Sequence, residues 1–146
     1  MKKKLISLLT AVVMALGVAV PAMAEDTASM EGKLVVIHTN DMHGYYETTD
    51  TAIGIAGVAG LKDYYEAQGA DVLLLDAGDF SQGNTLVGYY KGKNAAEYIA
   101  AAGYDAVSMG NHEFDYSFDV LLDNMKVLTD AGVKVVDSNV INKETG

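Results

Sequence analysis

The sequence predicts an α/β fold with a mostly parallel sheet and crossover helices. Two patterns carry that expectation. Short apolar runs at 33–39, 71–76, 105–109 and 133–136 alternate with helix-like segments at 53–68, 94–102 and 117–131. Glycines follow the first two of those segments at Gly69 and Gly103, where a helix would stop before the next strand. A third observation concerns chemistry rather than fold. Three of the apolar runs end in polar corners: Asp41-Met42-His43-Gly44, Asp76-Ala77-Gly78-Asp79 and Gly110-Asn111-His112-Glu113-Phe114-Asp115. In parallel sheets ligands gather at the carboxyl ends of strands, so all three corners sit where a site belongs.

Taken in order, residues 1–24 read as a cleaved secretory signal. Lys2, Lys3 and Lys4 form a basic start, Leu5 to Val20 an apolar stretch, and Ala22-Met23-Ala24 a small-residue cleavage site. The apolar stretch is 16 residues, short of the roughly 18–20 that a membrane span requires. Residues 25–32 read as a polar linker. The run at 33–39, Lys-Leu-Val-Val-Ile-His-Thr, is nearly continuous in apolar residues, the pattern of a central strand covered on both faces. His38 within it reads as a hydrogen-bonded core histidine rather than a ligand. Residues 45–52 are polar and Thr-rich, a loop. Residues 53–68 form a helix with small residues along one face, and 80–93 a glycine-rich loop. The short helix at 94–102, the strand at 105–109, the amphipathic helix at 117–131 and the strand at 133–136 complete the alternation.

Charge and cysteine content exclude several functions. Seven of the ten lysines and all 20 acidic residues follow Ala24, so the remainder carries a formal charge of −13 and holds no arginine. A nucleic-acid-binding face concentrates Lys and Arg, so a nucleic-acid polymer is excluded as a partner. Acidity of this degree suits a soluble exported protein whose carboxylates are partly neutralised by bound cations. With no cysteine, neither a disulfide scaffold nor a zinc–thiolate site is available. Stability must come from a hydrophobic core, for which the 122 residues after Ala24 suffice.

Each corner has its own chemistry. Asp41 and His43 are two apart, so in extended backbone both side chains face the same way and can grip one ion. A lone Asp-x-His is as readily a turn with an Asx hydrogen bond. Asp79 follows Gly78, which lets backbone approach closely, and its carboxylate can bridge two cations. Asp76 sits one step earlier, as a supporting or capping group. Asn111 offers a neutral carbonyl oxygen to a hard cation. His112 points elsewhere, toward substrate, with Asp115 three residues on to fix its tautomer. Glu113 reads as a fold-supporting or capping residue.

Together, Asp41-x-His43, Gly78-Asp79 and Gly110-Asn111-His112-Glu113 resemble the calcineurin-like metallophosphoesterase signature. Thr39-Asn40-Asp41-Met42-His43-Gly44, Gly103-Tyr104-Asp105-Ala106 and the run Gly110 to Asp115 resemble more narrowly its secreted bacterial 5′-nucleotidase and 2′,3′-cyclic phosphodiesterase branch. The resemblance extends over roughly residues 34–146. It implies the N-terminal portion of a four-layer α-β-β-α sandwich. It also implies two divalent ions, manganese, zinc or cobalt, with Asp41 and His43 on the first, Asp79 bridging and Asn111 on the second. His112 and Asp115 become the catalytic pair, and a metal-activated water attacks phosphorus in nucleotides or related phosphoesters without a covalent intermediate. The expected product is secreted, periplasmic or at the cell surface, with no membrane span after signal cleavage; its oligomeric state is open.

The chain also departs from that family. Its histidines are His38, His43 and His112 alone, so the family's later Gly-His and Gly-His-x-His ligands are absent. Gly54-Ile55-Ala56-Gly57 lacks the arginine common in the first helix of the branch, and Ser117 stands where a glycine often follows. The nucleotide-binding domain is also missing, so residues 33–146 are expected to form an incomplete N-terminal part of a longer enzyme, inactive by itself. One alternative is a truncated, non-catalytic secreted protein that binds one divalent ion weakly. A dinucleotide-binding module is disfavoured, because Gly54-x-x-Gly57-x-x-Gly60 is not the required spacing and no strand leads into it. Those glycines read instead as allowing close helix packing.

Overall fold

The computed structural model describes residues 29–138, 140–141 and 143–144. The signal segment and linker residues 25–28 lie outside the described residues. Strands β1 (Leu34–Thr39), β2 (Asp71–Asp76), β3 (Ala106–Val107) and β4 (Lys134–Val135) form one parallel sheet in the order β1-β2-β3-β4. Between them lie α1 (Gly54–Glu66), the short α2 (Thr85–Tyr89), α3 (Lys93–Ala101) and α4 (Phe118–Asp130), with a 3-10 turn at His112–Phe114. The α/β alternation predicted from the sequence is present.

The three longer helices stop in the same way. Gly69, Gly103 and Gly132 take left-handed φ values of 89°, 75° and 91°. Each lets the following residue's N–H reach back five positions: Ala70 to Tyr65 O, Tyr104 to Ile99 O and Val133 to Leu128 O. Each helix therefore turns into its strand within a few residues. Asp105 reinforces one such junction, its carboxylate accepting from Leu74 N at 2.8 Å and from Lys62 Nζ at 3.0 Å.

Every crossover steps to the next strand in the same direction. Right-handed crossovers of that kind leave all helices on one face of the sheet. The core forms there, from Leu74, Val107, Ile99, Leu128 and Val87, each 0–1% exposed, with Val58 of α1 at its edge. Full burial of one such aliphatic side chain stabilises by about 1.5–3 kcal/mol.

This topology corrects the reading of the first strand. Among the described residues, β1 is an edge strand with one open face, not a central strand covered on both. Its exposure alternates, and Leu34 and Val36 are 67% and 55% exposed beside Leu73 of β2. His38 shares that open face and is exposed, so it is not a core histidine. The stretch 80–93 is not all loop either, since Asn84 caps α2 by accepting from Val87 N at 3.0 Å. The glycine spacing in α1 is no continuous packing seam. A side chain at Gly54 would collide with the backbone of residues 46–48, whereas Gly60 faces open space.

Candidate metal centre

The three polar corners follow β1, β2 and β3, and backbone hydrogen bonds join them. Asp41 N donates to Gly78 O at 2.9 Å, and His43 N donates to Asp79 O at 2.9 Å. Gly78 and Gly110 let the second and third corners touch. A side chain at Gly78 would collide with the Gly110 backbone, and one at Gly110 would collide with Asp79. Across that contact His112 N donates to Asp79 Oδ1 at 2.9 Å.

Asp41, His43 and Asp79 adopt φ values of 52°, 47° and 58°. Left-handed backbone costs a residue with a side chain of order 1–3 kcal/mol, and such strain clusters where structure holds functional groups in place. Only one other non-glycine among the described residues, Lys91, shares this conformation. The extended geometry expected for Asp41-x-His43 is therefore wrong. Strand β1 ends at Thr39, and the two side chains converge through consecutive turns, with His43 Nε2 3.7 Å from Asp41 Oδ1.

Both imidazoles are oriented from their Nδ1 side. His43 Nδ1 lies 3.1 Å from Gln82 O, a carbonyl that can only accept, so Nδ1 carries the proton and Nε2 keeps a free lone pair. His112 Nδ1 lies 2.7 Å from Asp115 Oδ2. That hydrogen bond raises the His112 pKa above its ordinary value, and the negative charges of Asp115, Asp79 and Glu113 add to it. The two rings meet edge-to-face with centroids 5.2 Å apart. His112 thus faces the same space as His43 and does not point away from the ligand cluster.

His43, Asp79 and His112 each bring one ligand atom within 4.8 Å of the others. Nitrogen and oxygen ligands sit about 2.0–2.2 Å from a zinc-like ion, so two on one ion lie at most about 4.3 Å apart. A divalent cation held by His43 and Asp79 would therefore lie beside the His112 ring. The donor chemistry, the His43 imidazole with the Asp79 and Asp41 carboxylates, fits such an ion. Asn111 is exposed at the start of the third corner, where its backbone carbonyl accepts from Phe114 N at 3.3 Å.

Two supporting carboxylates lie behind the corners. Glu113 is 3% exposed and accepts from four backbone amides: Asp79 N (2.9 Å), Phe80 N (2.9 Å), Ser81 N (3.0 Å) and Gly110 N (2.6 Å). Asp76 is 4% exposed and accepts from Thr39 Oγ1 at 2.5 Å and Gly78 N at 2.9 Å. Burial pushes its pKa up to about 6, although both hydrogen bonds pull it down. Sequence reasoning passed over Gln82 and Asn84. Gln82 acts through its carbonyl, which leaves no trace in side-chain type. Asn84 bonds Gly44 O as well as capping α2, and an Asn-Thr pair ahead of Leu-Val is a legible cap signal.

Comparison with known proteins places the chain in a family. The calcineurin-like phosphoesterase family profile matches residues 34–144. A 5′-nucleotidase of Diplobatis ommata is 45% identical over 100 residues, covering 62% of this chain and 17% of the relative. A 5′-nucleotidase of Vibrio vulnificus is 34% identical over 155 aligned positions, covering 100% of this chain and 28% of the relative. The crystal structure of a 5′-nucleotidase precursor from Thermus thermophilus superposes with a TM-score of 0.63 at 33% identity, covering 73% of this chain and 22% of that one. The chain spans about a fifth of the length of the first curated relatives it matches.

Proposed function

The chain belongs to the calcineurin-like phosphoesterase family, and on that premise we propose that it carries the metal-binding corners of a hydrolase of 5′-nucleotides. The observation that carries the reading is the convergence of His43, Asp79 and His112 within 4.8 Å, from corners that neighbouring strands deliver. The substrate class follows the relatives, which are named 5′-nucleotidases. We place the protein outside the cytoplasm, exported by residues 1–24, with residues 33–146 as the N-terminal part of the catalytic domain.

Asp41, His43 and Asp79 would hold a first divalent cation, and Asp79 and Asn111 a second; manganese, zinc and cobalt all suit these donors. Bound there, the ions would supply Lewis acidity toward a phosphoryl oxygen and acidify water. The chain's own residues do the rest. Gln82 fixes the His43 tautomer so that Nε2 faces the ion. Asp115 holds the Nδ1 proton of His112, leaving Nε2 to contact substrate. A raised pKa keeps His112 protonated further toward neutral pH, as donating a proton to a leaving alkoxide requires.

A single weakly bound ion without catalysis is the second reading, favoured by the donor count: three residues form the cluster among those described. Phosphate release from AMP with added manganese separates the two. The proposed enzyme, expressed with any sequence its gene encodes beyond residue 146, releases phosphate, and Asp79→Asn lowers the rate at least 100-fold. The 146-residue chain releases little. Robust manganese-dependent turnover by that chain would overturn its expected inactivity, and none by the longer product would favour the single-ion reading.

A further inference from the structure

We propose that Glu113 is a positioning residue for the cation site, holding the Asp79 ligand in its left-handed conformation and locking the second corner to the third. The inference rests on the metal-centre reading above and concerns a residue to which that reading gives no part.

The carboxylate is shared between two chain segments. Oε1 takes Phe80 N and Ser81 N, while Oε2 takes Asp79 N and, from the other corner, Gly110 N. Asp79 returns the arrangement, its Oδ1 accepting from His112 N on the Glu113 side. Each corner therefore supplies a carboxylate to the backbone of the other, a reciprocal clasp with the logic of a capping box between separate loops. The amides of Asp79, Phe80 and Ser81 are three consecutive N–H groups in a turn that begins with a left-handed residue, the concave array that binds an anion. Glu113 fills that array from within the protein.

Two consequences bear on the cation. Asp79 has φ 58°, and the bond from its own N–H to Glu113 stabilises that conformation. With Oδ1 directed to His112 N, the carboxylate plane of Asp79 is set by the same clasp. Residues that orient a ligand in this way typically change metal affinity 10–100-fold when altered. A neutral glutamine at this position cannot replace the carboxylate, because its NH2 would face two N–H donors. Aspartate keeps the charge but is one methylene shorter, so it reaches one corner or the other.

The test uses the protein expressed with any sequence its gene encodes beyond residue 146 and divalent cobalt alone as probe, read by visible absorption, together with the amide proton shifts of the metal-free protein. In Glu113→Gln we expect the cobalt dissociation constant to rise at least 10-fold. We also expect the His43 amide proton to shift, because His43 N donates to Asp79 O and lies 70 positions from Glu113. Glu113→Asp should recover part of both, and it gives the same readouts if Glu113→Gln does not fold. Val58→Ala, in the core away from the corners, controls for lost stability: it should lower the melting temperature without moving either readout. Cobalt affinity and a His43 amide shift within twofold and 0.1 ppm of the unaltered chain in the folded Glu113 variants would overturn the proposal. An unaltered chain that takes up no cobalt would instead sink the metal-centre reading, and the His43 amide alone would then decide whether the clasp positions Asp79.

Discussion

On the helix-covered face of the sheet, Leu74 and Val107 are sealed at 0% and 1% exposure, while on the opposite face Leu34 and Val36 stand 67% and 55% exposed. Side chains of the same kind, on strands in direct register, thus have opposite environments. Composition does not produce that difference; connectivity does. Consecutive crossovers in one direction stack the helices on one side, so among the described residues one face gains a core and the other stays open. The covered face also continues into the site, because Thr39 and Asp76 end its β1 and β2 rows and lie beneath the metal corners. An apolar strand on this sheet is therefore half structural, and its covered half leads directly to chemistry.

The comparison is broken most severely at Leu74. Leu74→Ala removes a fully buried side chain at the centre of the core and should cost about 2–5 kcal/mol. Urea unfolding measures it, and a loss below about 1 kcal/mol would mean that the covered face is not packed as described.

The polar end of the same face gives a smaller, pH-dependent effect. Asp76 has a folded pKa of about 6, raised above its ordinary value, so the folded state binds its proton more tightly. The stability this contributes is fully present below about pH 4 and is lost as pH rises through 6. Two pKa units correspond to about 2–3 kcal/mol. Asp76→Asn preserves hydrogen bonds to Gly78 N and Thr39 while removing the buried charge. It should flatten the stability profile between about pH 4 and 6 and leave the variant more stable than the parent at pH 7. Parallel pH profiles for the two proteins would remove Asp76 as the source.

The open face should respond least. Val36→Thr, at a side chain more than half exposed, should change stability by no more than about 0.5 kcal/mol. A cost above about 2 kcal/mol would show that this face is covered in solution.

Much of this architecture was legible in the linear chain. The runs at 71–76 and 53–68, with glycine at 69, correspond closely to β2 and α1, because period, length and stop signal are local properties. The polar corners of the candidate site were legible for the same reason. Asp41, His43, Asp79, His112 and Asp115 stand out as polar residues where strands end. Asp115 is close enough in sequence for its 2.7 Å contact with His112 to be anticipated. The covered side of β1 was not legible, since apolar residues on both faces read as burial on both. That error carried His38 into an expected core it does not enter.

By itself, then, the sequence determined the alternation of strands and helices, the three polar corners and their chemical character, because each depends on residues a few positions apart. Tertiary structure alone decided what depends on residues 30 or more positions apart. It set which face of the sheet is covered, and it turned Asp41, His43 and Asp79 left-handed. It also brought the His112 ring against His43, oriented His43 through the Gln82 carbonyl, and spent the Glu113 charge on amides of both corners. Backbone donors and acceptors carry no mark of their partners in the sequence, and only the packed sheet brings these together.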